Sequence, residues 1–105
     1  MRSLRARFPF VVILHVFRMP HVYIPPAMRT LANGREFVEA SGATVLQLVE
    51  DVDRQIPGFK DRICQGDGLR PGLSVVINGS ASSLGLLHKV APDAEVHFLP
   101  AIGGG

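Results

Sequence analysis

The chain contains a single cysteine, no tryptophan and, after its first residues, no long apolar run. One cysteine cannot form an intramolecular disulfide, and it leaves no cysteine-rich zinc motif. No apolar run is long enough to span a bilayer, so we expect no membrane segment. The 105 residues, 47% of them hydrophobic, suit one domain with one modest core. We expect Cys64 to be a half-buried small apolar residue.

Common catalytic motifs are also missing. The histidines His15, His21, His88 and His97 show no paired metal-ligand spacing, so we expect no zinc site. The sequence has no nucleophile elbow, phosphate-binding loop or G-x-G-x-x-G segment. His21 and His97 alternate with apolar neighbours, which is typical of histidines on the surface of a strand. Ordinary catalytic chemistry is therefore not indicated.

The excess of basic over acidic residues comes from the first 18 residues of the chain. The net charge is +2 and the isoelectric point is near 9.2. Arg2, Arg5, Arg7 and Arg18 lie in an opening segment that contains no acid. The rest of the chain carries seven Lys/Arg against nine Asp/Glu, a net charge of −2. The basic isoelectric point therefore does not indicate a nucleic-acid partner.

Residues 1–18 differ in composition from everything that follows. Their arginines precede an apolar run over residues 8–17, an outline that resembles a secretory signal. Pro9 and His15 interrupt the run, and no small-residue cleavage site follows it. An extra strand or arm and an over-long start assignment are the other interpretations. We favour the over-long start, with Met19 as the initiator, because a strand pattern begins directly after it.

The sequence predicts strands over residues 21–25, 35–40, 73–78 and 94–100, and the first, second and last of these alternate in character along the chain. The first two strands are expected to form an N-terminal hairpin. Asn33-Gly34 predicts a tight turn before the second strand, and Asn78-Gly79 predicts one after the third. The stretch "SSLGLLHKV" predicts only a short irregular strand or a turn.

One segment changes to helical spacing. Its apolar residues predict one amphipathic helix that begins at an N-cap, Thr44 or Ser41, and stops at Pro57-Gly58. We expect the apolar stripe of this helix to face the core. A short helical turn is expected near residues 60–63. The acidic residues of the helix fall on its polar, solvated side: Glu50, Asp51 and Asp53.

The order of these elements predicts an α+β fold. It runs strand, strand, helix, strand, short strand, strand, so one main helix crosses a small mixed sheet. That layout is the β-grasp, or ubiquitin-like, fold. The two terminal strands, 21–25 and 95–99, are then expected side by side and parallel at the centre of the sheet. Their apolar content suits that position.

The chain ends on "LPAIGGG", although glycine is the residue that costs most to order. A terminal carboxylate becomes reactive when an ATP-dependent partner converts it to an acyl-adenylate, which a thiolate or persulfide can attack. Glycines make a narrow strip that can thread into a partner's active site, and Pro100 stiffens its exit from the last strand. A frayed, inert terminus explains the same residues equally well.

Four stretches carry a resemblance to a known family: "HVYIPPAMRTLANG", "ASGATVLQLVEDV", "LSVVINGS" and "DAEVHFLPAIGGG". From Met19 to Gly105 the chain resembles the ubiquitin-like sulfur carriers of the MoaD/ThiS family. They include the small subunit of molybdopterin synthase, the thiazole-synthesis carrier and the carrier of an alternative cysteine pathway. The stretches "IPPAMR" and "LPAIGGG" are most similar to the cysteine-pathway (CysO-like) carriers and close MoaD relatives. A third glycine, Gly103, and the first 18 residues depart from the family pattern.

The resemblance implies a protein co-substrate and not an enzyme. Gly105 would be adenylated by an E1-like adenylyltransferase and converted to a thiocarboxylate, with Gly104 as its obligatory small neighbour. A sulfur donor protein and a downstream biosynthetic enzyme would be the further partners. ATP would be used by the activating partner, and the chain would bind no cofactor or metal. The expected location is the cytoplasm, with no nucleic acid or membrane as a partner.

The resemblance also divides the chain into three parts. Residues 1–18 form an N-terminal extension, 19–99 the β-grasp domain and 100–105 the flexible tail. Strand alternation predicts an apolar patch near the end of the last strand, on the exposed face of the sheet. The residues expected to contact partners, on the tail and on this patch, are Phe98, Leu99, Pro100, Ala101, Ile102 and Gly103.

Two alternative functions remain open from the sequence. A ubiquitin-like modifier would use the same activated carboxylate of Gly105 to form isopeptides with lysines. A β-grasp interaction module would have an inert tail, so that deletion of Gly104 and Gly105 would leave its activity unchanged. Both alternatives keep the fold and change only the fate of the tail.

Overall fold

The computed structural model describes residues 18–101 of the chain. The predictions for residues 1–17, which include the over-long start, lie outside the described residues. So do those for Ile102 and the three terminal glycines. The domain boundaries at residues 18 and 100 therefore remain predictions.

Within the described range, strands and helices follow one another from His21 to Pro100. The strands are β1 (His21–Tyr23), β2 (Phe37–Glu39), β3 (Cys64–Gln65), β4 (Gly68–Leu69), β5 (Leu73–Ile77), β6 (Ser80–Ala81) and β7 (Glu95–Pro100). The helices are α1 (Val45–Gln55) and α2 (Phe59–Ile63), and two 3₁₀ turns cover Pro26–Met28 and Gly85–Leu87. The short helical turn predicted near residues 60–63 is α2.

Five of these strands form one mixed sheet in the order β2-β1-β7-β5-β6. The strands β1 and β7 run parallel, with Val22 opposite Val96, and the other neighbours run antiparallel. The first and last strands of the fold therefore lie side by side within the sheet, and the prediction of a β-grasp layout is confirmed. A separate ribbon consists of β3 and β4.

The strands begin and end close to the predicted positions. β1 ends at Tyr23 because Pro25 and Pro26 follow, and proline cannot donate a hydrogen bond to a ladder. Between β5 and β6, Asn78 and Gly79 have φ angles of 50° and 86°. Positive φ at both central residues is what a two-residue hairpin turn of this kind requires, so the turn prediction is confirmed.

The stretch "SSLGLLHKV" was predicted as a short irregular strand or a turn, and it forms a turn. Its centre is the 3₁₀ turn Gly85–Leu87, and β6 lies just before the stretch. The Ser82 hydroxyl accepts hydrogen bonds from the backbone N–H groups of Leu84 and Gly85, at 3.0 and 3.1 Å. It also lies 2.6 Å from Nδ1 of His88, so this histidine stabilises a turn.

The core lies between α1 and the inner face of the sheet. The predicted stripe of the helix is at most 2% exposed, and β1, β5 and β7 supply the facing residues. Of the two candidate N-caps, Thr44 is the one used, since its hydroxyl accepts from the N–H of Gln47 at 3.3 Å. The stripe consists of Val45, Leu48, Val49, Val52 and Ile56.

The acidic residues of α1 lie on its polar side, and two of them also hold backbone groups. Asp51 accepts a hydrogen bond from the N–H of Ser41 at 2.8 Å. Asp53 accepts one from the N–H of Lys60 at 2.9 Å, which ties α1 to the beginning of α2. These carboxylates therefore stabilise the connections at the two ends of the helix.

Candidate functional site

The last strand places its side chains alternately on two faces of the sheet. Val96 and Phe98 point into the core and are 0% and 4% exposed, while Leu99 points outward and is 44% exposed. Phe98 packs edge-on against Phe59, with the ring centroids 6.1 Å apart. The expectation that Phe98 belongs to the exposed patch is therefore wrong, because neighbouring residues of a strand cannot share a face. Leu99 alone of the two is exposed.

The strand β5 holds the last residues of β7 where the tail begins. The Ser74 hydroxyl donates a hydrogen bond to the carbonyl oxygen of Leu99 at 3.2 Å. One residue beyond the strand, the N–H of Ala101 donates to the carbonyl oxygen of Gly72 at 2.8 Å. Pro100, which the sequence analysis assigned to the tail, is the last residue of the strand. The tail is therefore held up to Ala101.

An open groove of about 530 Å³ lies on the outer face beside this point. Its walls are mainly apolar and come from β5, β6 and the end of β7. They consist of Ser74, Val76, Ala81, Leu99, Pro100 and Ala101. An exposed apolar groove beside the exit of the tail is the kind of surface that marks a protein contact.

A second groove, of about 340 Å³, lies on the other side of Leu99. Its walls carry charges of both signs, from Arg29 and Glu36, beside the apolar residues Ile24 and Pro25. Leu99 lines both grooves and so divides an apolar surface from a mixed one. Leu99 is therefore a large, exposed apolar side chain at the point where the tail leaves the sheet.

A row of aromatic rings continues the outer face from the second groove, which Tyr23 and His97 also line. His97 stacks on Tyr23 with ring centroids 4.1 Å apart and planes 12° apart. Tyr23 also contacts Phe37 at 5.3 Å, and Phe37 contacts His21 at 4.5 Å. The His21 ring lies 3.4 Å from the carboxylate of Glu39. Both histidines therefore lie on the surface of the sheet, as their alternation predicted.

Cys64 lies apart from this surface, at the junction of α2 and β3. It is half-buried, as predicted, and burial raises the pKa of its thiol, an effect that the nearby Lys60 partly offsets. It lines a cavity of about 320 Å³ that shares no residue with the two grooves beside Leu99. A thiol kept protonated is a poor nucleophile, so these surroundings favour a packing role.

Two further findings concern residues 18–101. Among their side chains, no group of three or more His, Cys, Asp or Glu is placed so that it could hold a metal ion. None of the helices in this range combines the length and the apolar character that crossing a bilayer would require.

The structure describes four of the eight predicted site residues. It brings Leu99, Pro100 and Ala101 together at one edge of the outer face and places Phe98 in the core behind them. The other four, which include the predicted reactive residue, lie outside the described residues: Ile102, Gly103, Gly104 and Gly105.

Two residues that the sequence analysis did not single out support this site. They are Gly72 and Ser74, whose hydrogen bonds hold Ala101 and Leu99. The pair Pro71-Gly72 is a turn signal that could have identified the first of them. The second depends on the register between β5 and β7, which places Ser74 opposite Leu99 and has no local signal in the sequence.

Comparison with protein families places the chain clearly. Residues 22–105 match the ThiS family, a range that begins within β1 and includes the terminal glycines. No curated protein matches the chain. The family match covers well over half of the chain, and it rests on the same part of the sequence that forms the sheet and the tail.

Solved structures agree with this family. A chain of the BexX/CysO complex of Amycolatopsis orientalis is 34% identical, with a TM-score of 0.74, over 82% of this chain and 99% of that one. CysO of Mycobacterium tuberculosis is 26% identical, with a TM-score of 0.71, over 79% and 99%. The small archaeal modifier protein 1 of Methanosarcina acetivorans, 24% identical over 84% and 97%, shares the fold with a TM-score of 0.66. The chain thus belongs to the ThiS family and is a ubiquitin-like sulfur carrier with a β-grasp fold.

Proposed function

We propose that the carboxyl group of Gly105 is the reactive group of this carrier. An E1-like adenylyltransferase activates it with ATP, and sulfur then replaces one of its oxygens to give a thiocarboxylate. The observation that carries the proposal is the family match, which extends to residue 105 and so includes the terminal glycines. Gly104 is the small neighbour that lets the carboxylate approach a narrow site, and Gly103 belongs to the threading strip.

The chemistry proceeds in three steps. The carboxylate oxygen of Gly105 attacks the α-phosphorus of ATP, which forms the acyl-adenylate and releases pyrophosphate. The terminal sulfur of a persulfide on the sulfur donor protein attacks the acyl carbon, and AMP leaves. A second thiol then attacks the sulfur of the donor protein's cysteine in this acyl disulfide. A disulfide forms with the donor protein, and the thiocarboxylate of Gly105 is released as the leaving group.

The chain acts in this scheme as a protein co-substrate. Ubiquitin-like carriers are generally not enzymes, and the activating partner consumes the ATP. A downstream biosynthetic enzyme takes the sulfur from the thiocarboxylate. We assign the chain no cofactor or metal of its own, and no nucleic acid or membrane as a partner. Because adenylation requires ATP, we place the carrier in the cytoplasm.

The outer sheet face at the exit of the tail is the proposed contact with the partners. Leu99 and the groove beside it offer apolar area at the point where the tail begins. Pro100, Ala101 and Ile102 would lie at the mouth of the partner's channel. Phe98 supports this surface from within the core, where it is 4% exposed.

Cysteine synthesis is the pathway that we favour among those that the family serves. The support is the 34% identity to a chain of the Amycolatopsis orientalis BexX/CysO complex and the 26% identity to Mycobacterium tuberculosis CysO. Molybdopterin synthesis is the second pathway, since the stretch "IPPAMR" is also similar to close MoaD relatives. The acceptor of the sulfur decides between the two.

Reconstitution of the activating reaction tests the proposal. The full chain is incubated with ATP, an E1-like adenylyltransferase of the native host and a persulfide donor, and pyrophosphate release is measured. We expect release that depends on the chain, followed by the mass change of one oxygen replaced by sulfur. A chain without Gly104 and Gly105 is the matched control and should give neither signal while keeping the same circular dichroism spectrum. Lysine-linked adducts, or a full chain that stays unmodified, would overturn the proposal in favour of a modifier or an inert tail.

A further inference from the structure

We infer that the Pro71-Gly72 turn and Ser74 fix the point from which the tail starts, and thereby restrict the region that the Gly105 carboxylate can occupy. Because Gly105 is the proposed reactive residue, this inference rests on the proposed function. Gly72 and Ser74 are positioning residues. Neither touches the reacting carboxylate, and both act through the last residues of β7.

The turn directs the carbonyl group of Gly72 toward Ala101, the residue after the last strand. The N–H of Leu73 donates to the carbonyl oxygen of Arg70 at 3.1 Å, which closes a four-residue turn with Pro71 and Gly72 at its centre. Gly72 has a φ of +84°, and proline followed by glycine at these positions is typical of a type II turn. A Cβ on Gly72 would meet no atom within 4 Å, so the backbone conformation, and not space, requires glycine here.

The pairing at this end of β7 is one-sided. The parallel strand β1 pairs with Glu95 and Val96 at the beginning of β7, whereas β5 pairs along its whole remaining length to Pro100. The hydrogen bonds from Ser74 and from Ala101 to Gly72 therefore close the sheet on the β5 side, directly before the tail. Loss of these two bonds would let the end of β7 separate from the sheet.

The position of this last bond decides the length of chain that is free to enter a partner. Four residues follow Ala101, and an extended chain advances at most about 3.6 Å per residue, so the carboxylate reaches about 14 Å from Ala101. Separation of β7 back to Leu99 would free six residues, so the carboxylate could lie in any direction within about 22 Å of Leu99. A fixed starting point keeps the carboxylate at one depth, and small errors in the position of a reacting group cost large factors in rate.

Two matched glycine substitutions test the inference. Gly72→Ala places a side chain at φ +84°, which strains the turn and displaces the carbonyl from Ala101. Gly79→Ala is the control, because Gly79 has a φ of +86°, open surroundings and a place at the other end of β5. We expect equal losses of thermal stability. Only Gly72→Ala should lower the kcat of adenylation, by about tenfold, and its KM should change less than its kcat because Leu99 keeps its pairing with Ser74.

A change of tail length separates positioning from a general loss of stability. Deletion of Gly103 shortens the tail by one residue and should lower kcat. In the Gly72→Ala background the same deletion should cost less, because the carboxylate is then no longer held at one distance from the sheet and one residue fewer changes its position less. Equal costs in the two backgrounds would overturn the inference, and so would a Gly72→Ala variant that behaves like Gly79→Ala.

Hydrogen exchange tests the hydrogen bond at Ala101 without any partner. We expect the Ala101 amide to be protected in the wild-type chain and in Gly79→Ala, and to exchange about tenfold faster in Gly72→Ala. An unprotected amide in the wild-type chain would overturn the inference even if Gly105 is adenylated. A protected amide in a chain that is never adenylated would instead refute the proposed function, and the inference with it.

Discussion

The inward and outward faces of β7 make different uses of the same six residues. Val96 and Phe98 are buried against the helix, whereas His97 stacks on the outer face and Leu99 stands between two grooves. The strand that completes the core therefore also carries the surface from which the tail leaves. Because the two uses fall on alternate positions, substitutions can remove the stability of the fold or the docking of a partner separately.

The largest effect is expected on the inward face, from Phe98→Ala. This change leaves a cavity beside Phe59 and should lower the free energy of unfolding by about 3–5 kcal/mol. Urea denaturation measures it. Leu99→Ala is the control and should cost less than about 1 kcal/mol, since Leu99 is exposed. Equal losses from the two neighbours would contradict the division of the strand into two faces.

On the outward face, Leu99→Asp should weaken docking while the fold stays intact. A charge between the two grooves is expected to raise the KM for the carrier in adenylation by about tenfold or more. Leu87→Asp is a matched control, because Leu87 is 75% exposed but lines neither of these grooves. If Leu87→Asp raised the KM equally, the docking surface would have to be sought elsewhere.

A smaller effect is expected from His97→Ala, which removes the stack on Tyr23. A cross-strand pair of this kind contributes about 0.2–1 kcal/mol, so the free energy of unfolding should fall by no more than that. Chemical denaturation of His97→Ala and of Phe98→Ala compares the free energies of unfolding of two variants in the same strand. A loss as large as that of Phe98→Ala would show that the outer face also supports the fold.

The smallest effect concerns Cys64, which lies apart from both faces of β7. Burial raises the pKa of its thiol above the value in the unfolded chain, so the folded state binds the proton more tightly. The resulting stability is complete below the ordinary thiol pKa of about 8.5 and is lost as the pH rises through the higher folded value. Unfolding midpoints across this pH range measure the loss, and Cys64→Ala should show less of it. Identical pH dependence in the two chains would contradict this account.

Much of the fold could be predicted because its periodicities are local. The five apolar residues between Val45 and Ile56 specify one buried helix face, and the turn at Asn78-Gly79 specifies a hairpin. The same reasoning could have placed Phe98 in the core, since it shares the period of Val96. The prediction of an exposed Phe98 is wrong because Phe98 and Leu99 are neighbours on a strand and so point to opposite faces of the sheet.

The hydrogen bonds that hold Leu99 and Ala101 could not be predicted in the same way. The contact of Ser74 with Leu99 joins residues 25 positions apart and depends on the register between β5 and β7. No local pattern specifies that register, because it follows from how both strands pack against α1. The grooves on either side of Leu99 depend on the same arrangement, so they appear only in the folded chain.

Intact-protein mass spectrometry of the chain purified from its native host tests the central claim most directly. The account predicts a species in which one oxygen is replaced by sulfur, with the change localised to Gly105 by fragmentation. A C-terminus that stays unmodified, even after incubation with ATP, the E1-like partner and a sulfur source, would contradict it.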